Sequence, residues 1–113
     1  MHEMSIAMNV VEIAVTTARA NGAGKINRVE LALGALSGII PEALHFCFAS
    51  AAKETPAAEA ELQLHIENGE AICESCGHQF ACQQRVPACP QCGEMVFQVS
   101  GGTEMRVVAI NVD

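Results

Sequence analysis

Two short stretches carry residue types that can do chemistry at once: CESCG at 73–77 and CPQCG at 89–93. Two residues between the cysteines let both sulfurs of one turn face a common point. The glycine after each second cysteine permits a positive-φ turn that brings backbone N–H groups toward the sulfurs. Twelve residues separate Cys76 from Cys89. Cys73, Cys76, Cys89 and Cys92 thus supply four thiolates at the corners of a tetrahedron, the coordination that suits Zn²⁺. An iron centre could use the same ligands, but the sequence offers neither a redox-partner surface nor aromatic cover. Four protein ligands leave no open position for water or substrate, so the expected metal is structural rather than catalytic. Apolar residues are few in this stretch (Ile72, Phe80, Val86, Val96, Phe97). Metal binding, worth ~10–16 kcal/mol in small zinc sites, is expected to provide most of its folding energy.

Two cysteines remain. Cys47 falls on the apolar face of a predicted helix and reads as core; Cys82, beside Phe80, reads as a spectator. His78 lies two residues past Cys76 and reads as a solvated loop histidine. The functional alternative is exchange with a cysteine as zinc ligand, which would make the site pH-responsive.

The elements that position these residues follow from periodicity. Residues 4–21 predict a helix with one polar stripe, Ser5, Asn9, Glu12, Thr16 and Arg19. Its remaining surface is apolar, so the helix is expected to be mostly buried against a sheet. NGAG at 21–24 supplies a stop. In 25–34, Val29, Leu31 and Leu33 alternate with Arg28, Glu30 and Ala32, a strand with one buried face. ALSGII is a loop. Pro41 opens a second helix, with Leu44, Cys47, Phe48 and Ala51 on one face, ending near Thr55-Pro56. Residues 60–67 alternate again, and 103–112 form a last strand with Val108, Ile110 and Val112 together. The helix between the strands at 28 and 67 makes a crossover long enough for parallel pairing. The expected fold class is α+β: a small mixed three-stranded sheet with two helices, plus an inserted zinc-ribbon-like module. The domain reading is a discontinuous α/β domain, 1–67 and 103–113, and a module at 68–102. Asn68-Gly69 and Ser100-Gly101-Gly102 bracket the module like hinges.

Composition narrows the partners. The 113-residue chain is half hydrophobic and carries a formal net charge of −7, from 13 acids and 6 bases. A polyanion is a poor partner for it, so nucleic acid and anionic membrane are disfavoured. Trp and Tyr are absent and four Phe are present, too few for a base-stacking platform. No signal peptide is visible, and no run approaches the ~18 apolar residues of a membrane helix. Six cysteines without such a signal predict thiols in a reducing, cytoplasmic setting.

Taken together, the MHEMSI start, LGALSG at 33–38, PEALHFCF at 41–48, LQLHIE at 62–67 and the paired knuckles resemble the HypA/HybF family over the whole chain. That family comprises nickel metallochaperones of [NiFe]-hydrogenase maturation. The resemblance implies a non-enzymatic carrier that binds Ni²⁺ at its amino terminus through Met1, His2 and Glu3. The residues suit that task. The Met1 α-amine has a pKa of ~8 and yields readily to a competing metal. The His2 amide nitrogen lies one five-membered chelate ring away, and the His2 imidazole closes a further ring onto the same ion. Nitrogen donors in a plane suit d⁸ Ni²⁺ where Zn²⁺ prefers a tetrahedron. Either the Glu3 amide or its carboxylate could complete the set. Glu42 is a further carboxylate candidate, though an acid in a helix's first turn is favourable by itself. His45 and His65 read as surface or half-buried residues. By resemblance, the partners are a HypB-type GTPase and the hydrogenase large subunit, with urease maturation a second destination in some organisms. The expected state is a monomer or weak dimer.

Two other classes compete. A zinc-ribbon interaction module without nickel transfer would use the same cysteines, but Glu67, Glu70, Glu74 and Glu94 face only Arg85 there. A thiol-redox enzyme wants an exposed, low-pKa cysteine at a helix start. Doubled pairs on Gly-containing turns favour metal instead.

Overall fold

The structure, a computed structural model, describes residues 2–113. Met1, one of the expected nickel ligands, lies outside the described residues. The elements run α1 (Glu3–Ala20), β1 (Ile26–Gly34), α2 (Pro41–Ala51), β2 (Glu61–Glu67), β3 (Gly69–Ile72), β4 (Gln79–Cys82), β5 (Val99–Ser100) and β6 (Met105–Val112). They form two three-stranded sheets, ordered β2-β1-β6 and β4-β3-β5. The chain divides into two compact units. The first holds residues up to 32, 39–65 and 106–113; the second holds 33–38 and 66–105.

The β2-β1-β6 sheet is mixed. Ile26 N–H donates to Pro56 O at 3.0 Å and Ala35 N–H to Glu67 O at 2.8 Å, so β1 and β2 run the same way. Gly34 N–H donates to Glu104 O and Asp113 N–H to Lys25 O, so β6 runs opposite to β1. The parallel crossover expected through α2 is therefore present. As the central strand, β1 is buried on both faces toward its end: Leu31, Ala32 and Leu33 are all inaccessible. The expected single buried face does not hold there, because Ala32 also points into covered space.

The helix α1 packs on α2. It ends in a Schellman arrangement, with Gly22 at φ 73°, Ala23 N–H donating to Ala18 O and Gly22 N–H to Arg19 O. Its predicted polar stripe is exposed. Its buried side is Ile6, Ala7, Val10, Val11, Ala14 and Ala18, while Met4, Met8 and Ile13 remain exposed. The apolar face is therefore narrower than expected. Pro41 opens α2 as predicted, but the helix stops at Ala51. Thr55 Oγ1 donates to Ala52 O at 2.6 Å and folds the following turns back. In β6 the half-buried set is Met105, Val107, Ile110 and Val112, with Val108 turned outward. The inward phase slips between Val107 and Ile110.

The second unit has more sheet than its weak periodicity suggested. β3 pairs antiparallel with β4, Gly69 opposite Cys82 and Ile72 opposite Gln79. β3 also pairs antiparallel with β5, Ala71 opposite Val99. Its core is Leu36, Ala71, Cys73, Cys82, Cys89 and Val96, with Phe80 and Val99 packed against it. Of the expected module core, Val96 is buried and Phe80 half-buried. Ile72, Val86 and especially Phe97, at 76% exposure, face solvent.

Candidate metal centres

The two cysteine turns are built alike. Cys73 N–H donates to His78 O at 2.9 Å, and Gly77 N–H donates to Cys73 O at 2.7 Å. Cys89 N–H donates to Glu94 O at 2.8 Å, and Gly93 N–H donates to Cys89 O at 2.8 Å. Gly77 and Gly93 sit at φ 79° and 80°, the left-handed region where glycine carries no Cβ penalty. The first cysteine of each turn is buried and the second exposed.

The turns bring all four sulfurs within 4.8 Å of one another. Cys73 Sγ lies 3.5 Å from Cys92 Sγ, and Cys76 Sγ lies 3.7 Å from Cys89 Sγ. A disulfide requires about 2.05 Å, so these are free thiols. A tetrahedron of sulfurs at 2.3 Å from a zinc ion has edges of roughly 3.8 Å, close to both distances. The donor set fits a tetrahedral, thiophilic divalent metal such as zinc. His78 stands outside this set. Its ring stacks on Phe80, centroids 5.8 Å apart and planes 14° apart.

Electrostatics explain why the cluster calls for a cation. Burial pushes the Cys89 thiol up, but amide N–H groups of Cys92 and Gln91 aimed at its sulfur bring it down to about 7. The Glu94 amide favours the Cys92 thiolate, yet the Cys73 thiol, burial and the other two thiols outweigh it and push Cys92 up to about 12. At Cys76 the His78 amide lowers the pKa, but burial and the Cys73 and Cys89 thiols outweigh it, for a net rise. One thiolate forms readily and then opposes the next. A bound dication reverses that opposition and releases the protons.

The N-terminal candidates are arranged differently. His2 is the N-cap of α1, in extended conformation at φ −83° and ψ 146°, and its side chain makes no capping hydrogen bond. The side chain is exposed and that of Glu3, the first helical residue, is partly so. The first amides of an α-helix have no intrahelical acceptor, so the His2 and Glu3 nitrogens lie outside the helical ladder. The positive end of the helix dipole also favours anionic, deprotonated amides there. The His2 carbonyl accepts the Ile6 N–H at 3.2 Å and fixes the entry turn.

Glu42 sits exposed in the first turn of α2 and His45 is exposed on the same helix. His65 Nε2 pairs with Glu30 Oε1 at 2.9 Å across β2 and β1. That hydrogen bond, set against slight desolvation and helped by Arg28, holds the Glu30 carboxyl below its ordinary value. Cys47 is half-buried on α2 and Cys82 is buried in the second unit's core. Among the described residues, the only group of three or more potential metal-binding side chains is the four-cysteine cluster.

A family model described as "Hydrogenase/urease nickel incorporation, metallochaperone, hypA" matches residues 1–112. The chain belongs to the HypA family. A hydrogenase maturation factor HypA from Chlorobium luteolum is 42% identical over 113 residues, spanning all of this chain and 97% of that relative. A hydrogenase maturation factor HypA 2 from Bradyrhizobium diazoefficiens is also 42% identical and covered in full. The solution structure of the Ni metallochaperone HypA from Helicobacter pylori superposes with a TM-score of 0.66 at 25% identity, covering 99% of this chain and 97% of that one. The family implied by the sequence motifs is thus the family found, and it is one of metallochaperones rather than enzymes. No helix of the described residues is long and apolar enough to cross a membrane.

Sequence reasoning missed one contributor to the cysteine region. Leu36, from the loop after β1, is buried with Cys73 and Cys89. The signal was available in LGALSG: an apolar residue between Gly34 and Gly38, where a free loop would be polar.

Proposed function

We propose that this chain carries Ni²⁺ at its amino terminus and delivers it during [NiFe]-hydrogenase maturation, while Cys73, Cys76, Cys89 and Cys92 hold a structural Zn²⁺. The observation that carries this reading is the nickel-incorporation family match from residue 1 to 112. The exposed entry to α1 supports the cargo site. Met1 supplies the amine, His2 its amide and imidazole, and Glu3 its amide or carboxylate. Each deprotonated amide cancels one positive charge of the ion, which suits a site with no buried counter-charge. An exposed terminal chelate also leaves room for an acceptor's ligand to approach, as transfer requires.

The zinc assignment rests on sulfur spacing and ligand type. With four thiolates around one ion, no position is left for substrate, so zinc shapes the second unit and nickel passes through elsewhere. The partners that follow from the resemblance are a HypB-type GTPase, as co-worker, and the hydrogenase large subunit, as acceptor. Six thiols in the reduced form fit a cytoplasmic setting. The test is calorimetric titration of untagged protein with Ni²⁺, alongside His2→Ala and a version with two residues added before Met1. The untagged protein should bind one nickel, and both variants should weaken binding by more than tenfold without loss of zinc. Equal binding by all three would refute the terminal site.

A further inference from the structure

The loop after β1 is built into the cysteine unit rather than lying beside it. Leu36 is 5% exposed and shares one apolar cluster with Ala71, Cys73, Cys82, Cys89 and Val96. Its backbone is held as firmly. Leu36 N–H donates to Gly102 O at 2.7 Å, Ala35 N–H donates to Glu67 O, and Arg85 Nη2 donates to Leu36 O at 2.9 Å. The chain segments that enter and leave the cysteine turns are therefore tied to the same loop. Three glycines make this possible. A Cβ on Gly34 would collide with the Gly102 carbonyl, and one on Gly69 with the Leu36 side chain. A Cβ on Gly102 would lie 2.6 Å from Gly69 N.

We propose that Leu36 is a positioning residue of the cysteine centre, and that metal occupancy there sets the order of residues 33–38. The inference rests on the reading of the four cysteines as a metal site. Two of the side chains in the cluster with Leu36 are proposed ligands on opposite turns, Cys73 and Cys89. A metal fixes those two sulfurs relative to each other and thereby fixes the walls of the Leu36 pocket. Without it, the two cysteine turns have no tie through their sulfurs, and the pocket loosens. Linkage makes the effect reciprocal: whatever seats Leu36 also tightens the metal.

The test uses hydrogen exchange and metal competition on the full chain. Wild-type protein is first assayed for zinc; a chain that binds none defeats the site reading itself. In the zinc-loaded protein, the Ala35 and Leu36 amides should be protected together with residues 68–102. Stripping zinc with a chelator should speed their exchange at least tenfold, while Val10, Val11 and Leu44 keep their protection. Leu36→Ala should weaken zinc about tenfold in competition with a chromophoric chelator, and Leu36→Met should recover most of it. Leu62→Ala, in the other unit, should leave zinc affinity unchanged. Zinc-bound protein whose 33–38 exchange ignores chelation, or Leu36→Ala that holds zinc as tightly as wild type, would overturn the proposal.

Discussion

Around the four cysteines, backbone and core fix each donor in advance. Two matched turns aim amides at the sulfurs, buried Cys73 and Cys89 anchor them, and the sulfur distances already suit a tetrahedral ion. Around His2, the backbone is a helix entry and the side chain stands in solvent without a capping bond. The first region suits a metal that stays. The second suits, in the proposed function, one that leaves. The difference lies in preorganisation more than in ligand strength: a closed donor set slows exchange, and an open chelate permits it.

The sharpest way to break the comparison is to open the closed region. Cys73→Ser removes a buried ligand, so zinc should fall below one-tenth of an equivalent and amide dispersion across 68–102 should collapse. Two-dimensional NMR should show α1 and α2 unchanged. Retention of a full zinc equivalent would mean that the cysteines are not the resident site.

A smaller effect is expected from the backbone that supports that region. Gly34→Ala should destabilise by about 2–4 kcal/mol, because its Cβ meets the Gly102 carbonyl rather than a flexible side chain. Gly102→Ala should act similarly, since Gly102 lies at φ 71° and crowds Gly69. Gly24→Ala has open space and no positive φ, so it should be neutral or stabilise by about 0.4–1 kcal/mol. Urea unfolding of the three variants ranks them.

These cases show what was legible in the sequence. The cysteine spacing predicted both turns, and the Schellman stop was readable in NGAG. So were Pro41, the parallel crossover and the mixed three-stranded sheet. Those signals are local: a ligand pair, a cap or a period of two or 3.6 residues. The exposed faces were harder. Met4, Met8, Phe97 and Val108 are apolar yet open, because burial depends on which elements cover a face and the sequence pattern does not state that. Leu36 was missed for a related reason. Its partners lie 35 or more positions away along the chain, and only the pairing of glycine-rich segments brings them together. For the same reason, short β3, β4 and β5 escaped notice: their alternation is too brief to register, and β5 pairs with β3 from about thirty residues away.

The smallest expected effect lies on the first unit's sheet, away from sulfur. Glu30 has a lowered pKa through His65, so the stability it contributes is complete above the ordinary value of 4.5 and is lost as pH falls through its lower folded-state value. His65→Ala should move the Glu30 carboxyl back up toward 4.5 in an NMR titration, with metal content unchanged. A Glu30 titration that ignores the substitution would show that the 2.9 Å contact does not form in solution.

The most direct test of two metals with two tasks is X-ray absorption at the nickel and zinc edges of untagged protein loaded with one equivalent of each. The account predicts zinc surrounded by four sulfurs and nickel surrounded by nitrogen and oxygen alone, the nickel spectrum losing its imidazole scattering in His2→Ala. Nickel spectra dominated by sulfur scattering, and unchanged by that substitution, would contradict it.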